Sequence, residues 1–598
     1  MPTPPAHRCS AGDNLRAALT LLDTLQRLGL RRLVLCPGSR SAPLAVAAGL
    51  LESRGLALIP AVDERSAAFL ALGFGRADGV PAAVVTTSGS AVANLLPAVV
   101  EADHGAVPLL LLSADRPARL KGCGANQTVN QEAFLAPCCR WMAAGDPRGL
   151  AAMSAQRLCA LAERAWAAAL AAPVGPVHLN LPFDEPLHAS AQQIDAEWAR
   201  CDASSVVWEQ APAAVAEKPV ERAADVLDPD QPGAVVVGPW RAPAALLEPF
   251  AQALLRWQRR SGWPVLADGL SGLRGWPGLQ LVHGYDLLLG EGHAIPAAPQ
   301  LLRLGSMPAS RRLQQWIAAS SGPQLLITEG DPRNLDATGT ASQQIAGGLA
   351  AWLDGLSDGS PSATSQAFCA AWLAADQQLQ QQLDQRWLAD GAMKPVCEPA
   401  LARALSRLLP AAEPLMLASS SPVRDWESFA AADAPQRPVF GFRGASGIDG
   451  TLSMAAGLAM SLGCTTLLSG DLALLHDANG WLWREVLAAA QARLTVVLVD
   501  NAGGGIFEQL PIRTGPQLDF ERLFAMPQQL DHSALAAGYG IPARAITSLD
   551  QLAAGLQWAA QQPMALLHLR TDRQADAALR HQLRRAMPPH NGLYSPGV

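Results

Sequence analysis

The chain is predicted to be an α/β protein built from three doubly wound parallel sheets, and three observations lead there. Apolar runs of strand length recur along it, bounded by glycine, proline or aspartate. Segments with helical periodicity separate them, as the crossover between two parallel strands requires. The clearest unit spans residues 465–499, where Thr465-Thr466-Leu467-Leu468 and residues 494–499 read as buried strands on either side of a helical stretch over 478–493.

From the N-terminus, Asp13 and Asn14 offer an N-cap to a helix carrying Leu15, Leu19, Leu22, Leu25 and Leu28 on one face and stopping at Gly29. A strand over 33–35 runs into Cys36-Pro37-Gly38-Ser39-Arg40. Residues 83–87 read as strand, 90–104 as helix, 108–113 as strand, 155–172 as an alanine-rich helix and 177–181 as strand, which gives a first domain over 1–190. The polar, alanine- and proline-containing stretch 188–232 reads as a linker with some helix. Strands at 234–237, 265–266, 301–304 and 325–328 set out a central domain, 191–365 with its linkers, and the Ser/Gly/Asp-rich residues 354–366 read as the next connection. The third domain, 366–598, takes its sheet from 415–418, 438–440, 466–468, 494–499 and 565–569.

Composition narrows the function. The 598 residues suffice for about three or four domains, and 49% hydrophobic with 16% charged residues describes a globular enzyme. A net charge of -7 without a dense basic block argues against nucleic acid as the partner. No apolar stretch reaches the length of a membrane span and residues 1–13 lack a signal-peptide core, so the expected location is cytoplasmic. The ten cysteines include the pair Cys138-Cys139 but no CxxC or zinc-finger spacing, and are expected to be reduced and mostly buried. Lysine occurs only as Lys121, Lys218 and Lys394 against 42 arginines, and none stands in a GxxxxGK[ST] loop, which excludes a P-loop NTPase. Anionic substrates therefore fall to arginine, whose planar fork matches carboxylates.

The candidate site lies at two strand ends. Gly470-Asp471-Leu472 closes one strand and Asp500-Asn501-Ala502-Gly503 the next, and ligands of parallel sheets bind beyond the carboxyl ends of their strands. The Asp471 carboxylate, the Asn501 amide oxygen and a backbone carbonyl near Gly503 are hard oxygen donors of the kind Mg²⁺ takes, with phosphate oxygens and water completing its octahedron. Each segment taken singly is also an ordinary turn composition.

Together the two segments resemble the signature of thiamine diphosphate (ThDP) enzymes, Gly-Asp-Gly followed at the next strand end by Asn-Asn. Leu472 stands where that signature has its second glycine, and Asp500 where it has its first asparagine. The resemblance extends over nearly the whole chain, in the domain order of the decarboxylase-type members: pyrimidine-binding, central, diphosphate-binding. Pro37-Gly38-Ser39-Arg40-Ser41, Asp63-Glu64-Arg65, Ser113-Ala114-Asp115-Arg116-Pro117, Gly124-Ala125-Asn126-Gln127 and Arg443-Gly444-Ala445-Ser446-Gly447-Ile448-Asp449-Gly450 resemble one branch in particular. Its members decarboxylate 2-oxoglutarate and add the remaining succinic semialdehyde unit to isochorismate, in menaquinone or phylloquinone biosynthesis.

That resemblance implies Glu64 as the carboxylate that hydrogen-bonds the aminopyrimidine ring of ThDP, work that needs a positioned, desolvated acid. It implies Asn126, Ile448, Gly470, Leu472, Ile506 and Phe507 as further cofactor contacts, with Ile448 propping ThDP in a bent form. Asp471, Asn501 and Gly503 would hold Mg²⁺, or Mn²⁺ in its place. Substrate contacts would come from Ser39, Arg40, Arg116 and Gln127, from Ser420, Arg424, Arg443 and Leu510, and from Arg311 and Arg312 of the central domain. Read from the residues alone, each arginine is equally an ion-pair or surface group. Asn126 and Gln127 are turn residues or contacts, and Ile448, Ile506, Phe507 and Leu510 are core or pocket wall. The family further implies a homodimer or homotetramer in which Glu64 and Asp471 come from different chains. No GxGxxG follows a strand in the central domain, so no flavin or nucleotide is expected there. Two other readings stay open: another ThDP-dependent 2-oxoacid decarboxylase or carboligase, and a ThDP-fold binding protein without catalysis.

Overall fold

The computed structural model describes residues 9–203, 226–290, 298–354, 356–388, 396–515 and 518–585. Residues 204–225 of the expected linker, and with them Lys218, lie outside the described residues, as does Lys394. Among the described residues there are three sheets, and every pairing between their strands is parallel. The first holds β1 (Arg32–Leu35), β2 (Ala57–Pro60), β3 (Ala82–Thr86), β4 (Leu109–Asp115), β5 (Trp141–Ala144) and β6 (Pro176–Pro182) in the order β2-β1-β3-β4-β6-β5. The second holds β7 (Ala234–Val237), β8 (Val265–Ala267), β9 (Leu301–Leu304), β10 (Gln324–Ile327) and β11 (Gln343–Ile345), ordered β11-β10-β9-β7-β8. The third holds β12 (Leu415–Leu417), β13 (Val439–Gly441), β14 (Cys464–Gly470), β15 (Arg493–Asp500), β16 (Ala543–Ala545) and β17 (Met564–Arg570), ordered β13-β12-β14-β15-β17-β16.

Central strands are buried on both faces, and their sequences show it: all seven residues of β4, Leu-Leu-Leu-Leu-Ser-Ala-Asp, are buried. Leu15, Leu22 and Leu25 of the helix Ala11–Leu28, with Ala162 and Trp166 of the helix Ala155–Leu170, pack on the first sheet through Leu33, Leu110 and Leu179. Each fully buried leucine there contributes about 1.5–3 kcal/mol.

The chain divides into two compact units, one of residues up to 217 with 443–461, the other of 218–442 with 462–598. Two devices hold 443–461 in the first unit. The Glu101 carboxylate accepts hydrogen bonds from the backbone N–H groups of Gly444, Ala445 and Ser446. The helices Glu64–Asp78 and Thr451–Leu462 meet at glycines: a Cβ on Gly73 would lie 2.4 Å from the Met454 carbonyl, and one on Gly457 2.3 Å from that of Leu70.

Several elements differ from the sequence expectation, each for a local reason. The first helix is capped by Ser10 in a capping box with Asp13, rather than by Asp13 or Asn14. Residues 90–104 form two helices, Ser90–Ala93 and Leu96–Gly105, because Pro97 cannot continue the first and instead opens the second. The helical stretch 478–493 begins earlier, at Asp471 itself, as the helix Asp471–His476, then a 3₁₀ turn Ala478–Trp483 and the helix Arg484–Ala489; residues from Arg493 are already strand. The connection over 354–366 ends in a long helix, Ala363–Leu388. All ten cysteines are free thiols, but only Cys36 and Cys369 are buried, so the expectation of mostly buried cysteines is corrected: the short, weakly polar thiol sits at half-covered positions as readily as in the core. No helix among the described residues is long and apolar enough to cross a membrane.

Candidate active site

In the first unit the expected residues gather at the carboxyl ends of β1 to β4. Glu64 follows β2 as the first residue of its helix, half-buried, with Asp63 capping the helix by accepting from the N–H groups of Arg65 and Ser66. Asn94 Nδ2 donates to the Glu64 carboxylate at 3.3 Å. Ser39 and Arg40 follow β1; Ser39 is exposed, its Oγ 3.3 Å from His188 Nε2. Arg40 is 8% exposed and donates to the Phe183 carbonyl at 3.0 Å and to Glu185 at 3.3 Å. Arg116 follows β4, is 9% exposed, and donates to Ser88 Oγ and to the Gln127 carbonyl. Burial, and then the neighbouring Arg40 cation, hold the Arg116 guanidinium below its ordinary pKa. Two largely buried guanidiniums thus stand within electrostatic reach of one another at the strand ends.

Gln127 has a left-handed backbone (φ 57) and its side-chain amide donates to the Ser88 carbonyl at 2.8 Å, while Asn126 is exposed. Behind this loop lies a buried polar lattice. Gln131 Nε2 donates to Asn180 Oδ1 and the Gly89 N–H donates to Gln131 Oε1; Asn180 Nδ2 donates to Asp115 and Glu132. Lys121 closes it with ion pairs to Asp115 and Glu132. His178, fully buried, lies 2.7 Å from Ser113 Oγ, and burial pushes its pKa down to about 4, so the ring is neutral. Arg443 and Ile448 also belong to this unit and are half-buried; the Ile448 carbonyl accepts from Thr451 Oγ1 at 2.9 Å.

In the second unit the motif residues meet at the carboxyl ends of β14 and β15. Asp471 is 3% exposed; its two carboxylate oxygens accept from the N–H groups of Leu472 at 2.8 Å and Gly503 at 2.7 Å. Burial pushes its pKa up to about 6, against the two backbone hydrogen bonds that favour its charge. Asn501 is 6% exposed; its Nδ2 donates to Glu398 at 2.7 Å, and its Oδ1 has no hydrogen-bond partner among the described residues. Gly503 has φ 124, and a Cβ there would lie 2.0 Å from the Ala525 carbonyl. A buried amide oxygen left unpaired costs about 1–3 kcal/mol, a cost that a divalent cation beside the Asp471 carboxylate removes, so this donor set fits the hard metal ion that a diphosphate brings.

Gly470 caps the helix that Asp471 opens, and Leu472 is its second residue. Ile506 and Phe507 are half-buried in a 3₁₀ turn, with Phe507 edge-on to Phe524 at 5.7 Å, and Leu510 is 41% exposed. Ser420, after β12, carries a strained φ of 78, and Arg424 donates to its carbonyl at 2.7 Å. Arg311 is exposed, whereas Arg312 pairs with Asp286, which also accepts from Ser310 and Ser428. Two residues beside Asp471, Asp500 and His532, were not anticipated from sequence as metal ligands. Asp471, Asp500 and His532 offer ligand atoms all within 4.8 Å of one another. Asp500 in turn accepts from His568 Nε2 at 2.8 Å; burial opposes its charge, but that imidazole holds it below the usual carboxylate range.

Comparison with known proteins adds the following. The family described as "Thiamine pyrophosphate enzyme, N-terminal TPP binding domain" matches residues 15–134, and "Middle domain of thiamine pyrophosphate" matches 201–417. The 2-succinyl-5-enolpyruvyl-6-hydroxy-3-cyclohexene-1-carboxylate synthase of Synechococcus sp. (strain RCC307) is 57% identical over 96% of this chain and 97% of its own. That of Synechococcus sp. (strain CC9311) is 54% identical over 96% and 100%. That of Prochlorococcus marinus (strain MIT 9313) is 50% identical over 94% and 98%.

Proposed function

Because this chain belongs to the 2-succinyl-5-enolpyruvyl-6-hydroxy-3-cyclohexene-1-carboxylate (SEPHCHC) synthase family of thiamine diphosphate enzymes, we propose that it decarboxylates 2-oxoglutarate and adds the remaining carbon unit to isochorismate. It is a C–C bond-forming transferase. The observation that carries the substrate reading is the buried pair Arg40 and Arg116 on the strand-end edge that also presents Glu64. Both substrates are dicarboxylates, and a guanidinium pair binds one carboxylate while turning the rest of the molecule toward Glu64.

When bound, ThDP supplies the electron sink for the carbanion that decarboxylation leaves. Glu64, at the mouth of its helix, would hydrogen-bond a ring nitrogen of the aminopyrimidine through its carboxylate. Ser39 and Gln127 border the arginine pair and orient the bound acid; Arg443, Arg424, Ser420, Arg311 and Arg312 are assigned to the same substrates, and Ile448, Ile506, Phe507 and Leu510 to the apolar wall that keeps water out. Asp471, Asn501 and the Gly503 carbonyl would hold Mg²⁺ or Mn²⁺ against the diphosphate. The division into pyrimidine-binding (1–190), central (191–365) and diphosphate-binding (366–598) domains, a cytoplasmic location and a homodimer or homotetramer are part of the same proposal.

The test is a stopped assay with ThDP, Mg²⁺, 2-oxoglutarate and isochorismate, run with and without ThDP. Consumption of both substrates only when ThDP is present is the expected result. CO₂ release with isochorismate intact, or faster turnover of pyruvate than of 2-oxoglutarate, overturns the assignment in favour of another ThDP decarboxylase. If Glu64 and Asp471 act from different subunits, mixing inactive Glu64→Gln and Asp471→Asn proteins under exchange restores activity, because some mixed sites carry neither change.

A further inference from the structure

We propose that Glu398 is a positioning residue for the metal site: its carboxylate fixes the Asn501 side-chain amide so that Oδ1, rather than Nδ2, is presented to the divalent cation. The inference rests on the assignment of Asp471, Asn501 and Gly503 as the metal-holding set.

An asparagine amide has nearly the same shape in its two flipped orientations, and only its hydrogen-bond partners decide which end points where. Glu398 opens the helix Glu398–Leu408 and is 3% exposed. Its Oε1 accepts from Asn501 Nδ2 at 2.7 Å and from Thr571 Oγ1 at 3.4 Å. Its Oε2 accepts from Arg580, itself 3% exposed. Arg580 is held by Asp425 through Nε to Oδ1 at 2.8 Å and NH2 to Oδ2 at 2.6 Å. With Arg580 donating to Oε2, Glu398 presents Oε1 to Asn501 as an acceptor, and it is the NH₂ end of Asn501 that faces it. Oδ1 is thereby turned to the opposite side, where it has no partner among the described residues. Gly505 leaves room for the amide in this orientation, since a Cβ there would lie 2.6 Å from Asn501 Nδ2. Groups that orient a metal ligand in this way change metal affinity about 10–100-fold when altered.

The experiment measures Mn²⁺ binding to the full chain at saturating ThDP, from the electron paramagnetic resonance signal of free Mn²⁺, so that no turnover is involved. Glu398→Gln, whose amide can offer Asn501 a donor, is expected to weaken Mn²⁺ binding about 10–100-fold. Asn501→Ala weakens it comparably, and the double variant is no weaker than Asn501→Ala, because Glu398 acts through that amide alone. Where Glu398→Gln does not accumulate as folded protein, Glu398→Asp keeps a carboxylate at this position but shortens its reach to Asn501 by one methylene, and the same loss is expected. Unchanged Mn²⁺ binding in the Glu398 variants while Asn501→Ala loses it, or additive losses in the double variant, overturns the positioning role. Unchanged binding in Asn501→Ala and Asp471→Ala would instead show that the metal set itself is wrong, and the inference falls with it.

Discussion

Glu101 offers the most direct test of how the fold delivers Arg443 and Ile448. It is 7% exposed on the helix Leu96–Gly105, and its carboxylate receives three backbone donors: Gly444 N at 2.8 Å on Oε1, Ala445 N at 2.6 Å and Ser446 N at 3.1 Å on Oε2. Glu101→Gln keeps the volume but replaces one acceptor oxygen with an NH₂ group. Bonds to a charged acceptor contribute about 1.5–3 kcal/mol each and neutral ones about 0.5–1.5. Two of the three become neutral, a loss of about 1 kcal/mol apiece, and the third donor is left facing another donor. The segment over 444–446 is therefore loosened by about 3–5 kcal/mol. Hydrogen exchange followed by mass spectrometry reads this locally, as a rise of about a hundredfold to a thousandfold or more in opening at 444–446, with the amides of the helix Ala11–Leu28 unchanged. Exchange at 444–446 indistinguishable from the unaltered protein would refute the claim that Glu101 anchors this segment.

Further expectations concern chemistry, packing and pH. Glu64→Gln should lower kcat by at least about a hundredfold, the low end for a general acid/base group, and unimpaired carboligation would remove Glu64 from that role. Gly457→Val places a side chain against the Leu70 carbonyl and should cost about 1–3 kcal/mol, seen as a lower Tm; an unshifted Tm would mean the two helices are not in register there. His178 has its pKa pushed from 6.5 to about 4 by burial, so the unfolded chain binds the proton first as pH falls. Stability contributed by the neutral ring is present above about pH 6.5 and is lost progressively down to about pH 4, amounting to about 3 kcal/mol. His178→Gln should flatten that acid limb in thermal unfolding followed between pH 4 and pH 7.5, and an unchanged slope would assign the limb to other groups.

What the sequence revealed of the fold follows from burial. The strands it marked are chiefly interior ones such as β4 and β15, apolar along most of their length because both faces are covered. The strands it missed, β2, β5, β11 and β16, are all sheet edges, and their sequences Ala-Leu-Ile-Pro, Trp-Met-Ala-Ala, Gln-Gln-Ile and Ala-Arg-Ala carry no alternation strong enough to stand out. The site divides in the same manner. Asp471 and Asn501 were legible because each sits in a contiguous turn at the end of an apolar run. Glu398, Asp425 and Arg580 were not, since the network behind Asn501 is assembled from positions 103, 155 and 182 residues apart.

Asp500 shows why a departure from a motif has to be judged with its partners. An aspartate in place of the family's first asparagine puts a second carboxylate near Asp471, and between two acids in partial burial that repulsion is destabilising. Here the neighbouring strand supplies the counterweight: His568 on β17 donates from Nε2 at 2.8 Å, and its Nδ1 lies 2.9 Å from Ser533 Oγ, which fixes the ring. The imidazole reduces the electrostatic cost of Asp500 without moving it away from Asp471. The substitution therefore leaves the hard donors of Asp471 and Asn501 in place and adds negative charge beside them, which would favour a divalent ion bound there. A single residue read against the motif suggests a weakened site, whereas the structure keeps the Asp471 carboxylate and the Asn501 amide held at the two strand ends, with Asp500 paired to His568.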